Sequence, residues 1–214
     1  MRNTIKSLFL LLFFIATLSH AAYAAVTTEE VMSKLQSTYR DVNDITINFI
    51  QKSSVEGFGE KVFEGTLYIK KPKLMRWDYS MPVKQNIFIT GEKVLLYMPE
   101  QRQAIVQAIS DHPDAEPAMG LLSNIEKWAD MFSIKGEDET AEGFSIELRP
   151  KTMQLVEKVL VDIDKETFYI KGMTLFEKSG NKVSFDFSKT KINSGLKDSL
   201  FDFKVPKGTE MLEY

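Results

Sequence analysis

Asp162 and Asp164 flank Ile163 in a stretch that alternates like a strand. Positions two apart share a face, so this carboxylate pair could do acid–base work. The turn Asp164-Lys165-Glu166 follows at once, and a hydrated strand edge is the simpler account. His112 sits between Asp111 and Pro113 in a polar loop; as general base or metal ligand it has no second histidine after His20 to work with. That all but removes Ser–His–Asp chemistry and His-based metal sites. Glu137, Asp138, Glu139 and Glu142 form an acidic run, read most simply as a solvated hairpin tip, with recruitment of a basic partner as the alternative. Cysteine is absent altogether, which excludes thiol catalysis, Fe–S clusters and Cys-based zinc sites. The expectation is a protein that is not an enzyme and uses no cofactor.

Lys71 is a different kind of candidate. On a strand continuing from Leu67 and Ile69 it shares their apolar face, where an ammonium must snorkel to water or find carbonyl partners. If the strand instead ends at Lys70, Lys71 is simply exposed. Arg76, between Met75 and Trp77, falls on the opposite, outer face beside Asp78, an ordinary surface position.

The elements that position these residues are mostly strands. From Gly65 to Gln103, large apolar residues recur at every second position: Leu67 and Ile69; Met75, Trp77 and Tyr79; Ile87 and Ile89; Leu95 and Tyr97. Period two places each set on one face of a pleated strand. Ile45, Ile47 and Phe49 begin the pattern. Later strands are expected at Phe144 to Leu148, Leu155 to Ile163, Phe168 to Phe176, Val183 to Phe187 and Phe201 to Val205. Thr27 to Tyr39 reads as an amphipathic helix, with Thr27 and Glu30 as a capping box and Val31, Met32, Leu35 and Tyr39 as its stripe. An acidic, proline-broken loop after Ser110 leads to two helical pieces, Ala118 to Leu122 and Ile125 to Phe132, carrying Met119, Leu121, Leu122 and Trp128.

About eleven strands with short turns imply antiparallel pairing in one mainly β domain with some helix. An eight-stranded barrel fills itself with side chains, whereas about eleven strands leave a lumen. The two helical segments are the available plugs, and a ligand is another. A domain of this kind must curl into a barrel or split into two packed sheets.

Residues 1–24 read as a cleaved signal peptide: Arg2 and Lys6, an apolar run from Leu8 to Leu18, then Ala22-Tyr23-Ala24 as the cleavage site. A retained anchor is the alternative. Residues 25–214 then form the single expected domain. Loss of Arg2 and Lys6 takes the formal charge from −3 to −5, which argues against nucleic acid as a partner.

With these pieces in order, the chain resembles the outer-membrane lipoprotein carrier family (LolA). The matching segments are Phe49-Ile50-Gln51, Gly65 to Pro72, Met75-Arg76-Trp77-Asp78-Tyr79, Met81-Pro82, Gly91, Tyr97-Met98-Pro99 and Phe201 to Gly208. The resemblance implies an incomplete, unclosed antiparallel β-barrel with a helical lid over an apolar cavity, and a periplasmic, monomeric carrier that binds acyl chains of lipoproteins. It implies receipt from an inner-membrane ABC-type release complex and delivery to an outer-membrane receptor lipoprotein (LolB). The expected cavity is Phe49, Leu67, Ile69, Met75, Trp77, Tyr79, Ile87, Ile89, Leu95 and Tyr97, under a lid of Leu35, Met119, Leu121, Leu122 and Trp128. The resemblance places the lid latch at Lys71, where well-studied members have arginine, and a cavity-rim role at Met75. An interaction or sensor module, or a carrier of another lipid, on the same fold are the competing readings.

Overall fold

The computed structural model describes residues 26–111, 120–140 and 143–213, with backbone only for 137–139. The expected signal segment, His112, Met119 and Glu142 lie outside the described residues.

Helix α1 (Thr28–Arg40) starts where the capping box requires: the Thr27 hydroxyl accepts the Glu30 N–H at 3.2 Å, and the Glu30 carboxylate accepts the Thr27 N–H at 3.0 Å. Its buried stripe is Val31, Met32, Leu35 and Tyr39, as the spacing predicts. Six antiparallel strands follow: β1 (Asp44–Val55), β2 (Gly59–Lys70), β3 (Leu74–Met81), β4 (Gln85–Thr90), β5 (Lys93–Met98) and β6 (Gln103–Ala108). Residues 120–123 are helical, a 3-10 turn spans Ile125–Lys127, and helix α2 is Trp128–Met131. Five more antiparallel strands complete the second half: β7 (Phe132–Thr140), β8 (Gly143–Pro150), β9 (Val156–Asp164), β10 (Ile170–Glu177) and β11 (Lys182–Ile192). A short β12 (Glu210–Glu213) ends the described chain.

All twelve strands form one open sheet, in the order β12-β6-β5-β4-β3-β2-β1-β11-β10-β9-β8-β7. Two meanders are thus joined edge to edge through β1 and β11, where Phe49 faces Phe187 and Gln51 faces Phe185. The sheet does not close. The concave face and α1 share one core, which includes Leu35, Ile47, Leu67, Leu121, Trp128, Val159 and Met173.

Three expectations are corrected. The sheet has twelve strands where about eleven are expected: β7, on residues given to a helix end and a hairpin tip, and β12 are added, and one expected strand is not formed. Phe201 to Val205 is not a strand: it crosses the convex face, where the Phe203 ring meets Phe88 at 5.1 Å and Tyr97 at 4.8 Å. Phe203 serves ring packing there, and Phe201 is buried, with no edge ladder formed. Finally, β12 runs parallel to β6, so the pairing is not wholly antiparallel.

Candidate functional site

Between the concave face and the helical segment lies a cavity of about 200 Å³. Met75 and Trp77 from β3 line one side, and Met173 and Leu175 from β10 with Phe185 and Phe187 from β11 line the other. Leu121 and Leu122 close it from residues 120–123. The lining side chains are aliphatic, thioether or aromatic, so the space offers chiefly dispersion and desolvation.

Register explains the wall. Cross-strand neighbours share a face, so Ile69, Met75 and Ile89 form one row, and Leu67, Trp77 and Ile87 the next. Phe49 meets Trp77 and Tyr79 edge-on, each at 5.1 Å between ring centres. It can do so because its strand partner is Gly65: a Cβ there would stand 2.7 Å from Phe49 Cζ and 2.2 Å from the Asp78 carbonyl oxygen. Glycine at this position is a space requirement.

Of the residues expected at the cavity, Met75, Trp77, Leu121 and Leu122 touch it, while Phe49, Leu67, Ile69, Tyr79, Ile87 and Ile89 pack on the same face. Leu35 and Trp128 are fully buried, and the Trp128 indole N–H has no hydrogen-bond partner among the described residues. Leu95 and Tyr97 are a correction. The two-residue turn Gly91-Glu92 pairs Thr90 with Lys93, so Val94 and Leu96 follow the inward Ile89 and Ile87. Leu95 and Tyr97 therefore face outward, and Tyr97 packs on Phe203. The stretch Val94-Leu95-Leu96-Tyr97-Met98 is apolar on both faces, so alternation could not choose between them. The residues missed are those of the second half. Met173 and Leu175, and Phe185 and Phe187, each carried the same period-two signal.

Lys71 resolves the choice posed by the sequence in an unexpected way. The strand does end at Lys70, yet the Lys71 side chain is only 17 % exposed. Its ammonium donates to the Tyr39 carbonyl at 3.1 Å and faces the Glu126 carboxylate at 3.5 Å. Tyr39 lies in the last turn of α1, where carbonyls lack helical partners and the helix dipole favours a cation. Glu126 belongs to the 3-10 turn before α2. One side chain thus ties the end of α1 to the segment that closes the cavity.

Arg76 is not an ordinary surface residue. Its guanidinium donates to the Asp78 carboxylate at 2.8 Å and the Leu200 carbonyl at 2.9 Å, and lies over the Phe88 ring at 5.0 Å. Nearby, Lys70 donates to the Leu196 carbonyl at 2.7 Å and pairs with Asp198. These contacts strap residues 196–203 across the convex face.

Of the candidate acid–base groups, Asp164 has a structural role. The Asp164 carboxylate accepts N–H bonds from Thr167 and Glu166 and the Thr167 hydroxyl, and these bonds, Thr167 foremost, hold it below the usual carboxylate value. Burial pushes the Tyr39 and Tyr79 hydroxyls up to about 12, so both stay neutral donors and acceptors. Among the described residues no group of three or more His, Cys, Asp or Glu side chains could hold a metal, and no helix is long and apolar enough to cross a membrane.

Comparison with known proteins agrees with this architecture. Residues 40–204 match the family model described as outer membrane lipoprotein carrier protein LolA. An outer-membrane lipoprotein carrier protein from Azotobacter vinelandii is 28% identical over 210 residues, covering 94% of this chain and 99% of that protein. One from Pseudomonas entomophila is 26% identical over 201 residues, covering 93% and 96%. A solved structure of an uncharacterized conserved protein from Thermus thermophilus superposes with a TM-score of 0.56 at 12% identity, covering 87% of this chain and 98% of that one, a likeness of fold.

Proposed function

We propose a carrier's role for this chain, which belongs to the LolA family of outer membrane lipoprotein carrier proteins. Its cargo is the acyl chains of lipoproteins, held in the cavity between the two half-sheets. The observation that carries the reading is the largely apolar lining of Met75, Trp77, Leu121, Leu122, Met173, Leu175, Phe185 and Phe187 beneath a latched helical segment.

The energetics suit the role. Each CH₂ withdrawn from water contributes about 0.8 kcal/mol, so multi-acylated cargo crosses water only when covered. A cavity of about 200 Å³ is smaller than the roughly 300–1,000 Å³ of ordinary ligand sites. Loading therefore requires the segment bearing Leu121 and Leu122 to move outward. When it closes again, its own apolar residues compete with cargo for the same wall, which favours release. Lys71 sets how readily this happens, and its flexible ammonium makes a less directional latch than a planar guanidinium.

In this reading residues 1–24 direct export to the periplasm, and the mature monomer does no chemistry. It receives cargo from an inner-membrane ABC-type release complex and yields it to an outer-membrane receptor lipoprotein (LolB). Mass spectrometry of material copurifying with the protein from periplasm tests this: acylated protein is expected. Recovery of only non-protein lipid would overturn it. Met75→Glu, which places a carboxylate on the cavity wall, is expected to dock on the release complex yet load poorly; normal loading would remove Met75 from the path.

A further inference from the structure

The concave face changes character along β1. Ile45, Ile47 and Phe49 point inward and are buried; the next inward positions are Gln51 and Ser53, both half-buried. Tyr79 is half-buried and ends the matching series on β3, after Met75 and Trp77. These three polar side chains are joined. The Tyr79 hydroxyl donates to Gln51 Oε1 at 2.9 Å, and Gln51 Nε2 donates to Ser53 Oγ at 2.9 Å.

The cluster abuts the cavity wall. Gln51 is the strand partner of Phe185, and the Tyr79 ring stacks on Trp77 with centres 6.4 Å apart; Phe185 and Trp77 both line the cavity. One strand step, about 6.6 Å for two residues, separates Phe49 from Gln51. The polar atoms thus begin where the apolar wall ends, toward the strand ends near Val55 and Lys182. Beyond them Lys61, opposite Ser53, is exposed to water.

The internal bonds leave capacity unused. A carboxamide has two N–H donors and a hydroxyl rotates freely, so the second Gln51 N–H and the Ser53 O–H remain able to donate. No member of the trio is charged in neutral solution, since burial holds the Tyr79 hydroxyl neutral. Such a group fits a neutral carbonyl acceptor.

We propose that Gln51, Ser53 and Tyr79 form a subsite for the carbonyl of the ester or amide that joins an acyl chain to its head, with the chain itself in the adjoining cavity. This rests on the carrier reading and adds an orientation to it. The linkage sits at the Gln51 level, the hydrocarbon runs toward Met75, and the head lies outward past Ser53.

Monomyristoyl glycerol and the matching tetradecyl glycerol ether differ by that carbonyl alone. Titrating each against the whole protein, by displacement of a fluorescent apolar probe, tests the subsite. One net hydrogen bond predicts an ester preference of about three- to ten-fold. Gln51→Leu, and separately Tyr79→Phe, should bring the ester-to-ether ratio to about one, with circular dichroism reporting that each variant is folded. Equal binding of both probes by the wild type, or a ratio unchanged in both folded variants, would overturn the subsite alone. Binding of neither probe would overturn the carrier reading with it.

Discussion

Lys71 joins the end of α1 to the turn at Glu126 through modest contacts. A cation at a helix C-terminus contributes about 0.3–1 kcal/mol, and an ion pair to the half-exposed Glu126 adds at most about 1 kcal/mol. Lys71→Leu should therefore leave the fold intact and raise opening of the lid segment several-fold. Faster amide exchange in the last turn of α1 and in residues 120–131, with slowed cargo transfer, is the expected result; wild-type exchange and transfer would dismiss the latch. Gly65→Ala tests the opposite extreme, a place with no give. Its methyl must displace Phe49 or the β3 backbone, so a loss of about 1–3 kcal/mol is expected in denaturant unfolding. An unchanged midpoint would mean that Phe49 moves freely. Lys71 drew notice because a charge follows the apolar parity of Leu67 and Ile69, yet the strand ends at Lys70, and its partners Tyr39 and Glu126 carry no local signal. The facing of Leu95 and Tyr97 was not legible, because a strand apolar on both faces carries no parity, and only the neighbouring turn length decides.

The element most dependent on a single group is the turn at residues 193–196, which starts the strap across the convex face. Asp44 is buried and accepts the Ser194 N–H at 2.8 Å, the Ser194 hydroxyl at 3.0 Å, the Gly195 N–H at 3.0 Å and the Leu196 N–H at 3.3 Å. Burial, the largest influence, would raise its carboxyl, but the bonds from Ser194, Gly195 and Leu196 together outweigh it and hold it below its ordinary value. A depressed carboxyl contributes stability that is complete above its unfolded value of about 3.9 and is lost as pH falls through the folded one. Asp44→Asn should lower stability at neutral pH and flatten the acid limb below about pH 4. A limb as steep as in wild type would assign it to other carboxylates, Glu147 and Asp164 among them. Sequence alternation found ten of the twelve strands. It took β7 for a helix end followed by a turn because its acidic half offers no apolar alternation. It also reads a strand in Phe201 to Val205, because Phe201 and Phe203 alternate there as they would on a strand.

At the scale of the whole molecule, an open sheet must manage two edges. At one, β12 covers β6 over four residues; at the other, β7 is acidic in sequence, and an acidic edge resists pairing with its own copy. Deleting residues 207–214 should uncover the apolar β6 edge and produce concentration-dependent self-association in sedimentation velocity. A truncated chain that stays monomeric at every concentration would show that β12 protects nothing. A lumen was legible in the strand count and its incomplete closure in the family resemblance, whereas the seam between the two meanders was not, since no local signal says which strand β1 meets. That seam has a temporal meaning. The partner of Ile45 is Ile192, so the second edge of β1 stays bare until the chain as far as β11 is free to fold. The first six strands must wait as an unsealed ribbon, and the last long strand to be synthesised is the one that finishes the wall.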